Sequence, residues 1–309
     1  MNTRTFGLDH RRIRGREVPL PPRWMRRTLS IAGFLFLWWW AQAAGVPYFQ
    51  FELFPGPIET LTALVGVEAA GEGAGVVIPG TGMAVTGYLA GEAVLAGEQS
   101  IYFHAFFSAF RVASGVVVAS LLAIPLGLLV GTSRRWEDYL YPALESLRAI
   151  PPVAWVPVSI LLFPTFQLAG VSFTTAVIFV VFIGAFFPIL VNTVEGVQDI
   201  DTEYRRAAES LGADAQQVFR HVVFPAALPS ILTGVTLGIG LGWITVVAAE
   251  IVGGNYGIGY LTFQAYRLLQ TDTVAVGMIT IGALGYVSSA IVLWAANRTM
   301  PWNEIEVNQ

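Results

Sequence analysis

The chain has 309 residues, of which 55% are hydrophobic and 12% charged, with 17 basic against 21 acidic side chains. Soluble domains carry about a quarter charged residues, so this composition excludes a water-soluble globular protein and implies an integral membrane protein. It contains no cysteine and no lysine, which excludes disulfides, CxxC redox chemistry, thiolate metal sites and a GxxxxGK[ST] phosphate loop.

Residues 1–27 hold eight arginines against two acids and read as a partly disordered basic tail on the cytoplasmic side. Nucleic-acid binding is the competing reading of such an arm, and the membrane segment directly behind it argues against that. Charge-free runs at 28–51, 112–133, 149–194, 222–249 and 273–297 each reach the length that a bilayer crossing requires. The third run is long enough for two crossings and is broken near 164–170, so six are expected. The first, 28–46, is read as a retained helix with Trp38, Trp39 and Trp40 as an interface anchor. A cleaved signal peptide ending near Ala41-Gln42-Ala43 is the alternative. Residues 47–103 contain six glutamates and no arginine until the next span, which places them outside as a loop with a glycine-rich insertion at 66–97.

Arg111 opens the second span, where its guanidinium either snorkels to the outer interface or draws an anionic solute inward. Ser133-Arg134-Arg135 marks a return to the cytoplasm, followed by an amphipathic segment at 139–149 that carries Arg148. Pro151, Pro152 and Pro157 break the start of a short third span. Irregular backbone at membrane depth survives only inside protein or against a cavity, so 151–157 is a candidate pathway wall. A plain helix start with proline in its first turn explains it equally well. The fourth span, 173–194, contains Pro188 and is expected to kink there. The fifth carries Gly234, Gly238, Gly240 and Gly242, a pattern for close helix packing, and ends at Glu250, read as a structural hydrogen-bond acceptor or a solute contact. An outer loop, 251–272, a last span and a tail at 299–309 complete the layout. Fifteen of the 17 arginines then fall on one side, which assigns both termini to the cytoplasm.

The long polar run 201–229 lies between the fourth and fifth spans. Residues 202–211 are rich in helix formers, Gly212 offers a stop, and Asp214 with Gln217 forms a capping-box signal for a second helix. That helix carries Val218, Phe219, Val222 and Val223 on one face and is expected to end before Pro225. Ala207, Ala208 and Gly212 are small enough for another protein to approach the backbone. A loop that merely links two spans is the bland alternative. His10, His104 and His221 are scattered, and no HExxH, GxSxG or GxGxxG arrangement appears, so no enzyme and no metal site is expected.

This loop resembles the EAA loop of permease subunits of type I ABC importers. Arg206-Ala207-Ala208, Gly212 and Val222-Val223-Phe224-Pro225 fall at that motif's spacing. Arg206 stands where the family usually has glutamate, which leaves Glu203 or Glu209 to supply an acidic contact. Pro55-Gly56-Pro57, the stretch Leu147-Arg148-Ala149-Ile150-Pro151-Pro152-Val153-Ala154-Trp155-Val156-Pro157 and Val247-Ala248-Ala249-Glu250 resemble the branch importing nitrate, sulfonates, taurine or bicarbonate. The resemblance implies an all-α fold of about six transmembrane helices, with an ABC transmembrane core at 104–298 and a cytoplasmic coupling helix. It also implies a separate ATPase that binds the ATP, a second permease copy, an extracytoplasmic binding protein and no cofactor in this chain. Coupling would fall to Glu203, Arg206, Ala207, Ala208, Glu209, Gly212, Ala213, Val222 and Pro225. Arg111, Trp155, Trp243 and Thr245 are candidates for the solute pathway. A transporter or channel working alone is the alternative; it would be expected to show ionisable residues deep within spans or an inverted repeat.

Overall fold

The computed structural model describes residues 10–13, 16–19, 23–43, 55–65, 67–69, 76–78, 83–85, 101–168 and 171–300. Most of the tail expected at 299–309, much of the insertion expected at 66–97 and the end of the break expected at 164–170 lie outside these residues. The chain divides into two units, Met1–Ala90 and Gly91–Gln309.

In the first unit β1 (His10–Ile13) pairs antiparallel with β2 (Arg16–Pro19). The basic tail, expected to be partly disordered, therefore holds a hairpin over these residues. α1 (Arg23–Ala43) starts ahead of the expected 28. Leu29, Ile31, Phe34, Phe36 and Leu37 along α1 are all exposed, as in a helix built to meet lipid. Next comes α2 (Pro57–Val65), whose Glu59 accepts from Gly56 N at 2.9 Å and from Gln42 Nε2 of α1 at 3.3 Å. The insertion, expected to be weakly patterned, contains β3 (Val67–Ala69), β4 (Val76–Ile78) and β5 (Met83–Val85), antiparallel in the order β3-β5-β4. Five of those nine residues are valine or isoleucine, side chains that favour extended backbone.

The second unit is helical apart from one hairpin. It comprises α3 (Ile101–Thr132), α4 (Arg134–Arg148), a 3₁₀ turn (Pro152–Trp155), α5 (Val156–Leu162), the hairpin β6 (Thr165–Leu168) with β7 (Val171–Thr174), and α6 (Thr175–Gln198). Then follow α7 (Thr202–Ser210), α8 (Ala215–Val218), a π turn (Phe219–Val223), α9 (Phe224–Gly253), α10 (Ile258–Arg267) and α11 (Thr271–Thr299). Glycines set how the long helices meet. A Cβ on Gly115 would lie 2.5 Å from Val181 Cγ1, one on Gly127 2.7 Å from Thr193 Cβ, and one on Gly131 2.8 Å from Val197 Cβ. The contacts climb both helices together, so α3 and α6 run parallel. A Cβ on Gly184 would meet Thr245, whereas one on Gly234 would meet Asn192 and Ile189, so α9 runs antiparallel to α6. Val112, Val116 and Ala119 of α3, Val177, Val181 and Ala185 of α6, and Ile239, Trp243 and Val246 of α9 fill the space between them.

Two parallel neighbours require the chain to cross the membrane once more between residues 132 and 175. Gln198 Nε2 at the end of α6 donates to Glu137 Oε1 at the start of α4 at 2.9 Å, and Tyr141, Leu144 and Arg148 border a small cavity with Phe187, Leu190 and Val191 of α6. Higher up, Trp155 and Phe163 stack near Phe179. The chain thus climbs α6 through α4, the 3₁₀ turn and α5, and these three pieces together make the third crossing. This corrects the expectation of a surface segment at 139–149 ahead of a short third span. Residues 134–148 carry several charges and so look aqueous; their first turn stays at the loop end beside Gln198, and only the later turns rise along α6. Pro152–Leu162 alone rises only about 16 Å, too short for a bilayer.

Among the described residues four helices are long and apolar enough to span a membrane: Ile101–Thr132, Thr175–Gln198, Ala215–Gly253 and Thr271–Arg298. Of the remaining two expected crossings, the third is the composite one, and the first falls in α1, whose arginines and Gln42 keep it below the hydropathy of the four. The helix expected to stop before Pro225 instead runs on, through the π turn, into α9. The wider π turn spares a carbonyl from the proline ring, which would break an α-helical ladder at that point.

Candidate functional site

The loop predicted to be functional sits across one end of this bundle. Val218, Val223 and Ala227 pack with Leu128 of α3 and Val197 of α6, and Ala208, Ala213 and Val222 join them from the rim. Arg205 Nη2 donates to the Val197 carbonyl at 3.2 Å and ties α7 to the end of α6. Asp201 caps α7 by accepting from Glu203 N at 2.9 Å. Asp214 accepts from Gln217 N at 2.7 Å while Gln217 Oε1 accepts from Asp214 N at 2.9 Å, the reciprocal pair that its spacing predicts. Between them Gly212 has φ +86°, and nothing lies within 4 Å of where a Cβ would stand. Its backbone needs the left-handed region, and its surface is open.

Of the predicted coupling residues, Glu203, Arg206, Ala207, Glu209 and Gly212 are exposed, while Ala208, Ala213, Val222 and Pro225 are half-buried beneath them. The exposed tier is not wholly polar: Leu211 is 90% exposed and Tyr204 67%. Tyr204, His221, Val222, Pro225 and Ala226 line a groove of about 340 Å³ at the base of the loop. One face of the loop is therefore fixed to the bundle, and the other offers charge, two large apolar side chains and a concavity.

The opposite end is closed. Arg111 Nη1 donates to Glu250 Oε1 at 2.8 Å and to the Tyr256 carbonyl at 2.6 Å, and its guanidinium lies 5.2 Å from the Tyr256 ring centroid. Glu250 also accepts from Ser108 Oγ at 2.8 Å and from Gly259 N at 2.9 Å. Ile258 N donates to Ser108 Oγ at 2.8 Å, and Gly257 N to His104 Nδ1 at 3.0 Å. Gly257 has φ +126°, and a Cβ there would overlap the Glu250 carboxylate. Only glycine lets the chain pass. Arg111 is 3% exposed, so it does not snorkel to the interface; a carboxylate and a carbonyl hold it inside.

The four predicted pathway residues have separate partners. Trp243 Nε1 donates to Ser288 Oγ of α11 at 2.9 Å, and its ring lines an apolar groove of about 380 Å³ between α3, α9 and α11. Thr245 is buried against Gly184, with its hydroxyl donating to the Gly242 carbonyl at 3.0 Å. Trp155 stands beside Phe179 at the broken crossing, and its buried Nε1 has no hydrogen-bond partner among the described residues. Arg111 belongs to the closed network. Sequence reasoning missed Ser108, His104 and Gly257 in that network and Arg205 as the anchor of α7. One signal was available: Arg111 and Glu250 are lone charges at the ends of two otherwise charge-free runs.

Parallel glycine-packed spans, a composite crossing and a capped loop with an exposed outer face define a multi-pass membrane protein. Residues 123–301 match the family described as binding-protein-dependent transport system inner membrane component, and the chain belongs to that family of ABC transporter permeases. It is 38% identical over 198 residues to the bicarbonate transport system permease protein CmpB of Synechococcus elongatus, covering 64% of this chain and 69% of the relative. It is 36% identical over 204 residues to the nitrate import permease protein NrtB of Leptolyngbya laminosa, covering 66% and 71%. A chain of the MetNI methionine ABC transporter in an inward-facing conformation shares the fold, with TM-score 0.51 and 19% identity over 65% of this chain and 94% of that one.

Proposed function

We propose that the chain is the pathway-forming permease of an ATP-driven importer for a small oxyanion such as nitrate, bicarbonate or a sulfonate. A separate ATPase docks on the α7–α8 loop and supplies the ATP hydrolysis, a second copy of the permease completes the pathway, and an extracytoplasmic binding protein delivers the solute. The loop faces the cytoplasm, with both termini on the same side. The observation that carries this reading is the unbroken run Ala215–Gly253, which joins the loop to a full membrane span without a joint of coil. A push on α7 and α8 is therefore transmitted to α9 as a lever, and ATPase closure becomes rocking of the bundle between two states. The relatives that transport bicarbonate and nitrate support the oxyanion.

The test is Gly212→Asp. Aspartate is among the few side chains that tolerate φ above zero, and at this open surface it would obstruct the ATPase without touching the bundle, so the variant inserts at normal levels and loses ATP-driven uptake of nitrate, bicarbonate and an alkanesulfonate in proteoliposomes. Normal uptake by the variant, or labelling of position 212 only from outside the cell, sinks the coupling role.

A further inference from the structure

α4 lifts Arg148 away from the end of the bundle. Its neighbours on α6, Phe187, Leu190 and Val191, lie three to seven residues before Val194, where the charge-free run ends, about 5–10 Å of helical rise into the span. The side chain is exposed on the described surface, and among the described residues the guanidinium has no ion pair. A bare arginine at that depth is costly against hydrocarbon, so it requires water, a carboxylate or an anion opposite it. A second observation lies next to it in the chain. Residues 149–155 leave the α-helical ladder, with Ile150 and Val153 exposed, and irregular backbone at membrane depth must line protein or a polar cavity. Trp155 closes the same break and has its unpartnered indole N–H there.

We infer that Arg148, at the break in the third crossing, is the cation that receives the oxyanion inside the membrane. The inference rests on the oxyanion reading above. A planar guanidinium presents several N–H donors to an oxyanion, and the unpartnered indole N–H of Trp155 at the break beside it offers one more. The phosphate of a lipid headgroup has the same chemistry, and Glu145, one turn below on α4, borders the same small cavity as Arg148. The experiment separates all three.

The complete importer, with its ATPase and binding protein, is reconstituted in phosphatidylcholine vesicles with and without phosphatidylglycerol. Uptake of nitrate, bicarbonate and an alkanesulfonate is measured beside ATP hydrolysis stimulated by the loaded binding protein. R148Q is expected to lower uptake at least about tenfold in both lipids while hydrolysis continues, as loss of a charged hydrogen-bond donor implies. E145Q is expected to retain uptake. Uptake by R148Q within about twofold of the parent, a matching loss in E145Q, or a loss confined to vesicles with phosphatidylglycerol overturns the inference. If R148Q fails to assemble, R148H decides: its nitrate uptake relative to the parent should rise as pH falls through about 6.5, and a flat profile overturns the inference. An unsubstituted importer that moves none of the three anions defeats the oxyanion reading; one that moves an anion equally well with R148Q defeats only this inference.

Discussion

The two ends of the bundle use polar side chains in opposite ways. Around Gly257, Arg111, Glu250, Ser108, His104 and three backbone N–H groups bond to one another inside the protein. Around Gly212, Asp201, Asp214 and Gln217 bond only to their own helix starts, and Glu203, Arg206, Leu211 and Tyr204 face outward. A closed network holds helices together and has little left to offer a partner. A loop capped from within keeps its shape without using its outer face. The difference teaches that the polar bonds holding one end come from residues far apart in the chain, and the caps shaping the other from residues two or three apart.

The contrast is tested most severely at the closed end. Glu250→Ala leaves Arg111 buried without a counter-charge and should destabilise the protein by about 3–5 kcal/mol. The double variant Arg111→Met, Glu250→Leu should be milder than either single change, because it removes both charges together. Thermal unfolding in detergent checks both, and a double variant worse than the singles would show that the hydrogen bonds to Ser108 and Gly259 dominate over the charge pair. Between the two ends, Gly115→Leu drives a side chain into Val181 and should cost about 1–3 kcal/mol by overpacking, read from the same melts. At the open end the effect is smallest. Asp214→Ala removes one cap and should cost about 1 kcal/mol, seen as faster proteolysis within the loop with the bundle intact. A loss at Asp214 as large as at Glu250 would erase the distinction between the ends.

What could be read in the sequence divides along the same line. The Asp214–Gln217 box, the stop at Gly212 and the apolar face at Val218 and Val223 were legible because they depend on spacing within one or two turns. The four uninterrupted spans were legible because lipid tolerates few charges. The Arg111–Glu250 pair was not, since 139 positions separate its members and no local period marks them. The third crossing was misplaced because Arg134, Arg135, Glu137, Asp138, Glu145 and Arg148 made α4 look aqueous. Only the parallel packing of α3 and α6, settled by glycines on one helix meeting valine and threonine on the other, shows that the later turns of α4 rise along α6 while its charged start stays at the loop end. The π turn before Pro225 was equally hidden, because proline reads as a stop unless the ladder ahead of it has room to widen.

Side-by-side parallel packing also sets an order of events during synthesis. α3 leaves the ribosome well before α6 exists, so the faces at Gly115, Gly127 and Gly131 first meet lipid or another chain instead of their final neighbour. Between the two comes the charged, proline-interrupted stretch, the poorest candidate for spontaneous insertion. Until that stretch has been threaded, α6 cannot enter in the correct direction, so a weak membrane anchor gates the assembly of one of the two most closely packed helix pairs among the described residues.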